Sequence, residues 1–148
     1  MKVVLDTNIL VSSLIVPTSL PHRIYEAWRA GTFVLVTCDE QLEEFRRVTR
    51  YDKLRAYIEP AAAGALLNEL RKMAQHPGKL PKIKRSPDAG DDYLLALAQA
   101  ADADYLVSGD RAGLLALKRH GKTRIVTARQ FSLAVTPKSA RQRVKVLR

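Results

Sequence analysis

Cysteine is almost absent from this chain. Cys38 stands alone, so no intrachain disulfide can form, and no C-x-x-C pair or Cys/His cluster offers a zinc site. A lone thiol suits a reducing, cytoplasmic setting. Long apolar runs are missing too: none approaches the roughly 18 residues a bilayer-spanning helix needs. The apolar opening MKVVLDTNIL is broken by Asp6 and Asn8 and lacks a small-residue cleavage pattern. The expectation is a protein that is neither secreted nor membrane-spanning. His22, His76 and His120 are scattered without ligand spacing, which favours surface or loop roles over metal binding or general-base work.

Acidic residues stop at Asp110. Positions 111–148 hold 11 Lys or Arg and no Asp or Glu; with totals of 25 and 15, the first 110 positions keep 14 basic and 15 acidic residues. The net charge of +10 therefore resides in the last quarter. Such segregation suits a polyanionic partner, because lysine and arginine gain affinity by releasing counterions condensed on phosphates. A solubilising surface or basic tail reads the same composition equally well.

With 148 residues and 47% hydrophobic content, the chain suits one compact domain with a genuine core. Strand and helix patterns alternate along it. Lys2–Leu5 reads as a buried strand, ILVSSLIV as a short helix stopped by Pro17, and the stretch from Pro21 to Gly31 as a second helix. FVLVT follows as a strand. Thr37-Cys38-Asp39-Glu40 has capping-box spacing, so a helix is expected from Thr37 to about Arg50. A further helix covers Pro60–Met73. In the Pro- and Lys-rich connection HPGKLPKIKRSPDAGD, Ile83 is expected in a brief strand. DDYLLALAQAADA reads as a helix, YLVSGD as a buried strand, AGLLAL as a helix and TRIVT as a last strand. The implied class is α/β: three layers, α/β/α, around a mainly parallel sheet of four to five strands.

Asp6 is the conspicuous residue in this pattern. It follows a buried strand directly, and a carboxylate in an apolar setting costs several kcal/mol unless something neutralises it. No nearby capping role is expected to relieve that cost as well as a bound cation would. Asp110 likewise ends the strand YLVSG, and ligands of parallel sheets bind outside the carboxyl ends of the strands. Helix phase selects two more acids. Glu44 borders the stripe of Leu42, Phe45 and Val48 while Glu43 points away; Asp91 heads the stripe of Leu94, Leu95 and Ala98 while Asp92 lies nearer solvent. Taken singly, Glu44 also reads as a surface charge, Asp88 or Asp91 as a helix N-cap or first-turn acid, and Asp110 as the cap of a helix from Arg111. Taken together, four acids form an all-oxygen site of the kind Mg²⁺ or Mn²⁺ prefers.

The blocks VVLDTNIL, LVTCDEQLEEFRRV and SPDAGDDYLLALAQAADADYLVSGDRAGLL, followed by RIVTARQF, resemble the PIN-domain nucleases, and among them the prokaryotic toxin components of toxin–antitoxin pairs. The resemblance implies a domain over residues 1–136 and leaves a basic tail, 137–148, outside it. It implies a metal-dependent endoribonuclease whose catalytic and metal-holding residues are Asp6, Glu44, Asp91 and Asp110. Thr7, Asn8, Ser108, Asp88 and Asp92 would be accessory. One or two Mg²⁺ or Mn²⁺ ions, an RNA substrate, a small antitoxin partner and a homodimer are further implications. The chain departs from the pattern at DRAGLLAL, where Ala112-Gly113 follow Arg111 in place of a shorter polar linker.

Lys79, Lys82, Lys84 and Arg85 crowd the loop leading to Asp88. They and Arg111 are the candidate RNA-backbone contacts, against the reading of a solvated loop. Two other functions compete: a basic nucleic-acid- or antitoxin-binding module with a weak or inactive site, and a phosphate-accepting signalling domain. The second of these would place a pair of acids after the first strand, whereas this chain has the single acid of DTN. Trp28 and Phe45, at helical spacing with aliphatics, read as core, and Cys38, near a helix start, as a thiol with a lowered pKa.

Overall fold

The structure is a computed structural model that describes residues 1–135; the expected boundary at 136 and the tail 137–148 lie outside the described residues. Strand β1 (Lys2–Leu5) leads through Asp6 into α1 (Thr7–Ile15), followed by α2 (Leu20–Arg29), β2 (Val34–Val36) and α3 (Asp39–Val48). A 3-10 turn at Asp52–Leu54 precedes α4 (Pro60–Met73), and a second at Ala89–Asp91 opens α5 (Asp92–Ala101). The remaining elements are β3 (Tyr105–Val107), α6 (Leu114–Leu117), β4 (Arg119–His120), β5 (Thr123–Val126) and α7 (Ala128–Val135).

The five strands form one sheet in the order β2-β1-β3-β5-β4. All neighbours are parallel except β4 and β5. From β1 the chain goes to β2 on one side and later to β3 on the other, so the switch in strand order falls at β1, where the fold leaves a crevice at the strand ends.

Alternation along β1 builds the two outer layers. Val3 and Leu5 face a core with α1–α4 and α7 that includes Trp28, Phe45, Leu66, Leu70 and Phe131. Val4 faces the opposite core with Leu94, Leu95, Leu97 and Ala98 of α5 and with Leu106 and Ile125. The apolar, β-branched content of VVL thus places it centrally, with both faces covered. Trp28 and Phe45 are core, as expected.

Four local expectations are corrected. The capping box at Thr37 does not form: Cys38 is the N-cap of α3 and makes no side-chain cap bond, because the Thr37 hydroxyl donates to Gln41 instead. Ile83 forms no strand; it packs on the α5-side core. The two-residue edge strand β4 and the helix α7, both too short or too weakly patterned to announce themselves, were not expected.

Phe45 is fully buried, so Phe45→Ala should cost about 3–5 kcal/mol of stability in a urea denaturation series; a loss under about 1 kcal/mol would mean that this core relaxes around the vacancy.

Candidate functional site

Asp6 leaves the sheet while still tied to it. Its N–H donates to the Val107 carbonyl of β3 at 2.8 Å. Its Oδ1 accepts from the Asn8 N–H at 3.2 Å, making it the N-cap of α1, and its Oδ2 accepts from the Ser108 hydroxyl at 2.9 Å. Asp6 therefore caps α1. The cap does not settle the electrostatics, however. Asp6 is only 6% exposed, and burial outweighs both hydrogen bonds and pushes its carboxyl above the ordinary range, with Glu44 and Asp110 adding to the rise.

Glu44 is positioned by residues that sequence reasoning passed over. The buried Gln41 accepts from Thr37 at 2.7 Å and donates through Nε2 to the Leu5 carbonyl at 2.6 Å. This clip pins the first turn of α3 to the end of β1, one residue before Asp6. One helical turn later Glu44 is half-buried, while Glu43 is exposed. The Tyr93 hydroxyl donates to Glu44 Oε1 at 2.6 Å and lies 3.0 Å from the Thr7 hydroxyl. Since Tyr93 has one proton to give, Thr7 donates to Tyr93. The relay Thr7–Tyr93–Glu44 joins α1, α5 and α3. A polar tip on an otherwise apolar helix, two residues after Asp91, was the available signal for Tyr93.

The neighbouring aspartates are both half-buried and differ in the groups they face. Asp91 is half-buried and makes no side-chain cap bond. Burial, followed by the charges of Asp6, Asp88, Asp110 and Glu44, raises it from 3.8 to about 6. Asp92 faces the preceding loop, where its Oδ1 accepts from the Ser86 N–H at 2.7 Å and the Arg85 N–H at 3.1 Å, and those two bonds lower its pKa. Asp88 is exposed and caps the 3-10 turn by accepting from the Gly90 N–H at 2.9 Å.

Asp110 is exposed at the end of the loop from β3. Its N–H donates to Ser108 Oγ at 3.2 Å, so the hydroxyl that holds Asp6 also anchors Asp110. Its Oδ1 accepts from the Gly113 N–H at 3.0 Å. A Cβ at residue 113 would stand 2.2 Å from Asp110 Oδ2. The departure Ala112-Gly113 therefore has a steric purpose, because glycine is what lets this carboxylate fold back. The expected helix starting at Arg111 begins instead at Leu114.

The fold thus brings Asp6, Glu44, Asp91 and Asp110 into one electrostatic neighbourhood beside the switch point, with Asp88 at its edge. The set is all carboxylate; burial first, and then neighbouring negative charges that a cation would relieve, raise Asp6 and Asp91. Among the described residues, no group of three or more His, Cys, Asp or Glu is arranged to hold a metal ion unaided.

Asn8 is exposed, and so are Lys79, Lys82, Lys84, Arg85 and Arg111. Arg85 Nη1 donates to the Arg119 carbonyl at 2.7 Å and contacts His120 Nδ1 at 2.9 Å, bracing the loop against β4. The Cys38 thiol is pushed up to about 12 by burial, which corrects the expected lowering: dehydration outweighs the helix terminus. No helix of the described residues is long and apolar enough to cross a membrane.

A family model described as the PIN domain matches residues 2–112. The chain belongs to the PIN domain family. PIN domains are generally nucleases. The fold is also similar to a chain in the crystal structure of VapBC2 from Rickettsia felis bound to a DNA fragment from their promoter, at 16% identity and a TM-score of 0.53, covering 86% of this chain and 98% of that one. Comparison with curated protein sequences gives no match.

Because Asp91 in this PIN domain is raised from 3.8 to about 6, its contribution to stability is complete below about pH 4 and is lost as pH rises through about 6. In metal-free buffer with EDTA, Asp91→Asn should melt on the order of 2 °C above wild type at pH 8, with the gap closing below about pH 5. Parallel melting curves across that range would contradict the raised carboxyl.

Proposed function

We propose that this PIN domain is an endoribonuclease dependent on one or two Mg²⁺ or Mn²⁺ ions, with Asp6, Glu44, Asp91 and Asp110 as its catalytic and metal-holding residues. The observation that carries this reading is the gathering of four acids from separate elements at the sheet's switch point, where Asp6 is raised by burial with Glu44 and Asp110 adding, and Asp91 by burial with Asp6, Asp88, Asp110 and Glu44 adding. The lack of a ready-made cage is compatible with Mg²⁺, which keeps several waters and takes one or two carboxylates directly. When bound, such an ion polarises a phosphodiester and lowers the pKa of a bound water.

This chain's own residues do the positioning. Ser108 and the Asn8 N–H hold the two oxygens of Asp6, Tyr93 fixes one oxygen of Glu44, and the Gly113 N–H holds Asp110. Asp91 has no such tether and can turn toward a ligand. Without a cation, the cluster repels a phosphate. Asp88 and Thr7 assist by adding negative charge and by aiming Tyr93, while Asn8 and Asp92 act through backbone bonds. Lys79, Lys82, Lys84, Arg85 and Arg111 guide the RNA backbone, Arg85 with the donors it does not spend on Arg119.

We further propose that the protein is a toxin of a toxin–antitoxin pair, held by a small antitoxin, cytoplasmic and homodimeric. Its fold similarity to a VapBC2 chain and the unpaired, buried Cys38 support that setting. The alternative is a catalytically weak or inactive basic module that binds nucleic acid or an antitoxin. It draws on the missing preformed cage.

Purified protein with a mixed RNA substrate and Mn²⁺ separates the two. Cleavage should require the cation and fall at least about 100-fold in Asp6→Asn, and Mn²⁺ should raise the melting temperature of wild type but not of that variant. Gly113→Ala, which displaces Asp110 without removing a charge, should lower cleavage at least about tenfold. Cleavage that survives in Asp6→Asn would sink the assignment. For the loop, neutralising Lys79, Lys82, Lys84 and Arg85 together should weaken RNA binding and flatten its salt dependence, by about 0.7 for each phosphate no longer neutralised; an unchanged slope rejects those residues as the backbone-binding set.

A further inference from the structure

A second feature is left unused by the acid cluster. A groove of about 660 Å³ runs between α6 and β5, floored by Leu115, Ile125 and Val126 and lined by Arg111, Lys118, Arg119 and Arg124. No acid lines it. Among the described residues none of the four cations is in an ion pair, whereas Lys122 on the neighbouring turn reaches Asp104 at 4.0 Å. Four like charges kept together without counter-charges repel one another, and a polyanion removes that repulsion.

The backbone holds this arrangement at a cost. Lys118 has φ 63° and ψ −36°, a region that non-glycine residues avoid at about 1–3 kcal/mol. Its carbonyl accepts from the Ile125 N–H at 2.9 Å, which ties the end of α6 to β5. The Arg119 carbonyl is braced by Arg85. The groove's cationic rim is therefore built on fixed backbone.

Two short covalent or hydrogen-bonded paths connect the groove to the acids. Arg111 directly follows Asp110. The Val126 carbonyl, on the groove floor, accepts from the Ser108 N–H at 3.0 Å, and the Ser108 hydroxyl holds Asp6. A strand lying in the groove would thus deliver its next phosphodiester to the carboxylate rim.

We propose that the α6–β5 groove is the track for the backbone of single-stranded RNA entering or leaving the acid cluster, with Lys118, Arg119 and Arg124 as phosphate contacts continuing from Arg111. The identity of the ligand rests on the nuclease reading above. The groove admits one strand and not the broad surface of an A-form duplex. It has no aromatic lining, so it binds through phosphates and without base preference.

The test uses full-length protein carrying Asp6→Asn in EDTA, so that nothing is cut, and a fluorescent single-stranded RNA of about 15 nucleotides. Arg119→Gln with Arg124→Gln should weaken binding about tenfold or more and lower the slope of log affinity against log salt by about 1.4. Arg119→Lys with Arg124→Lys, which keeps both charges, should restore most of the affinity. The distant pair Arg71→Gln with Lys72→Gln on α4 should change neither quantity, and melting temperatures check that all variants fold. An unaltered slope in the Gln pair at Arg119 and Arg124, or an equal weakening in the α4 pair, overturns the track. If the groove pair loses binding while wild type cuts no RNA with any cation, the track stands and the nuclease reading fails. If wild type cuts RNA but the groove pair binds normally, the reverse holds.

Discussion

The burial of Asp6 is the constraint around which this PIN domain is organised. A carboxylate at the end of the central strand is dehydrated by its position, and the surrounding structure only partly compensates. Ser108, from the adjacent strand's loop, and the first turn of α1 each contribute a donor. The Asn8 donor is local, two residues on in the chain, whereas Ser108 reaches Asp6 only because β1 and β3 pair in parallel. The compensation falls short, and the carboxylate stays destabilised in its charged form, a state that a nearby cation would stabilise.

The same economy governs the rest of the cluster. Gln41 ties α3 to the Leu5 carbonyl, Tyr93 ties α5 to α3, and Ser108 ties Asp110 to Asp6. Each is a neutral side chain with buried or half-buried polar atoms, and such atoms must find partners; among the described residues, no buried side-chain nitrogen or oxygen is left without one. Satisfying them fixes the distances between acids that would otherwise drift apart by repulsion. The four acids and the four cations of the α6–β5 groove, which are in no ion pair among the described residues, are kept in separate patches.

Much of this was legible from the chain alone, because its strongest signals are local. VVL and YLV are short apolar runs ended by Asp6 and SGD, and the helix periodicity around Glu44 and Asp91 separates them from Glu43 and Asp92 without reference to any other part of the molecule. What lay beyond reach had nonlocal causes. Thr37 has the spacing of a capping box, yet a partner one turn later takes its hydroxyl. Cys38 sits at a helix start, where the dipole would lower its pKa, yet the core packed over it raises it. Ile83 has strand character, yet it packs on the α5-side core instead.

Sequence by itself determined the α/β alternation, the nomination of four acids as candidates and the displacement of positive charge toward the C-terminal end, since each follows from residue type and period along the chain. Tertiary structure alone decided that Asp6 is buried and raised despite its local cap, that Tyr93 and Gln41 fasten the elements around Glu44, that Gly113 makes room for Asp110, and that Arg111, Lys118, Arg119 and Arg124 share one groove. The physical reason is that dehydration, hydrogen-bond partnership and charge crowding are set by groups distant in the chain, and only the packed sheet brings those groups together.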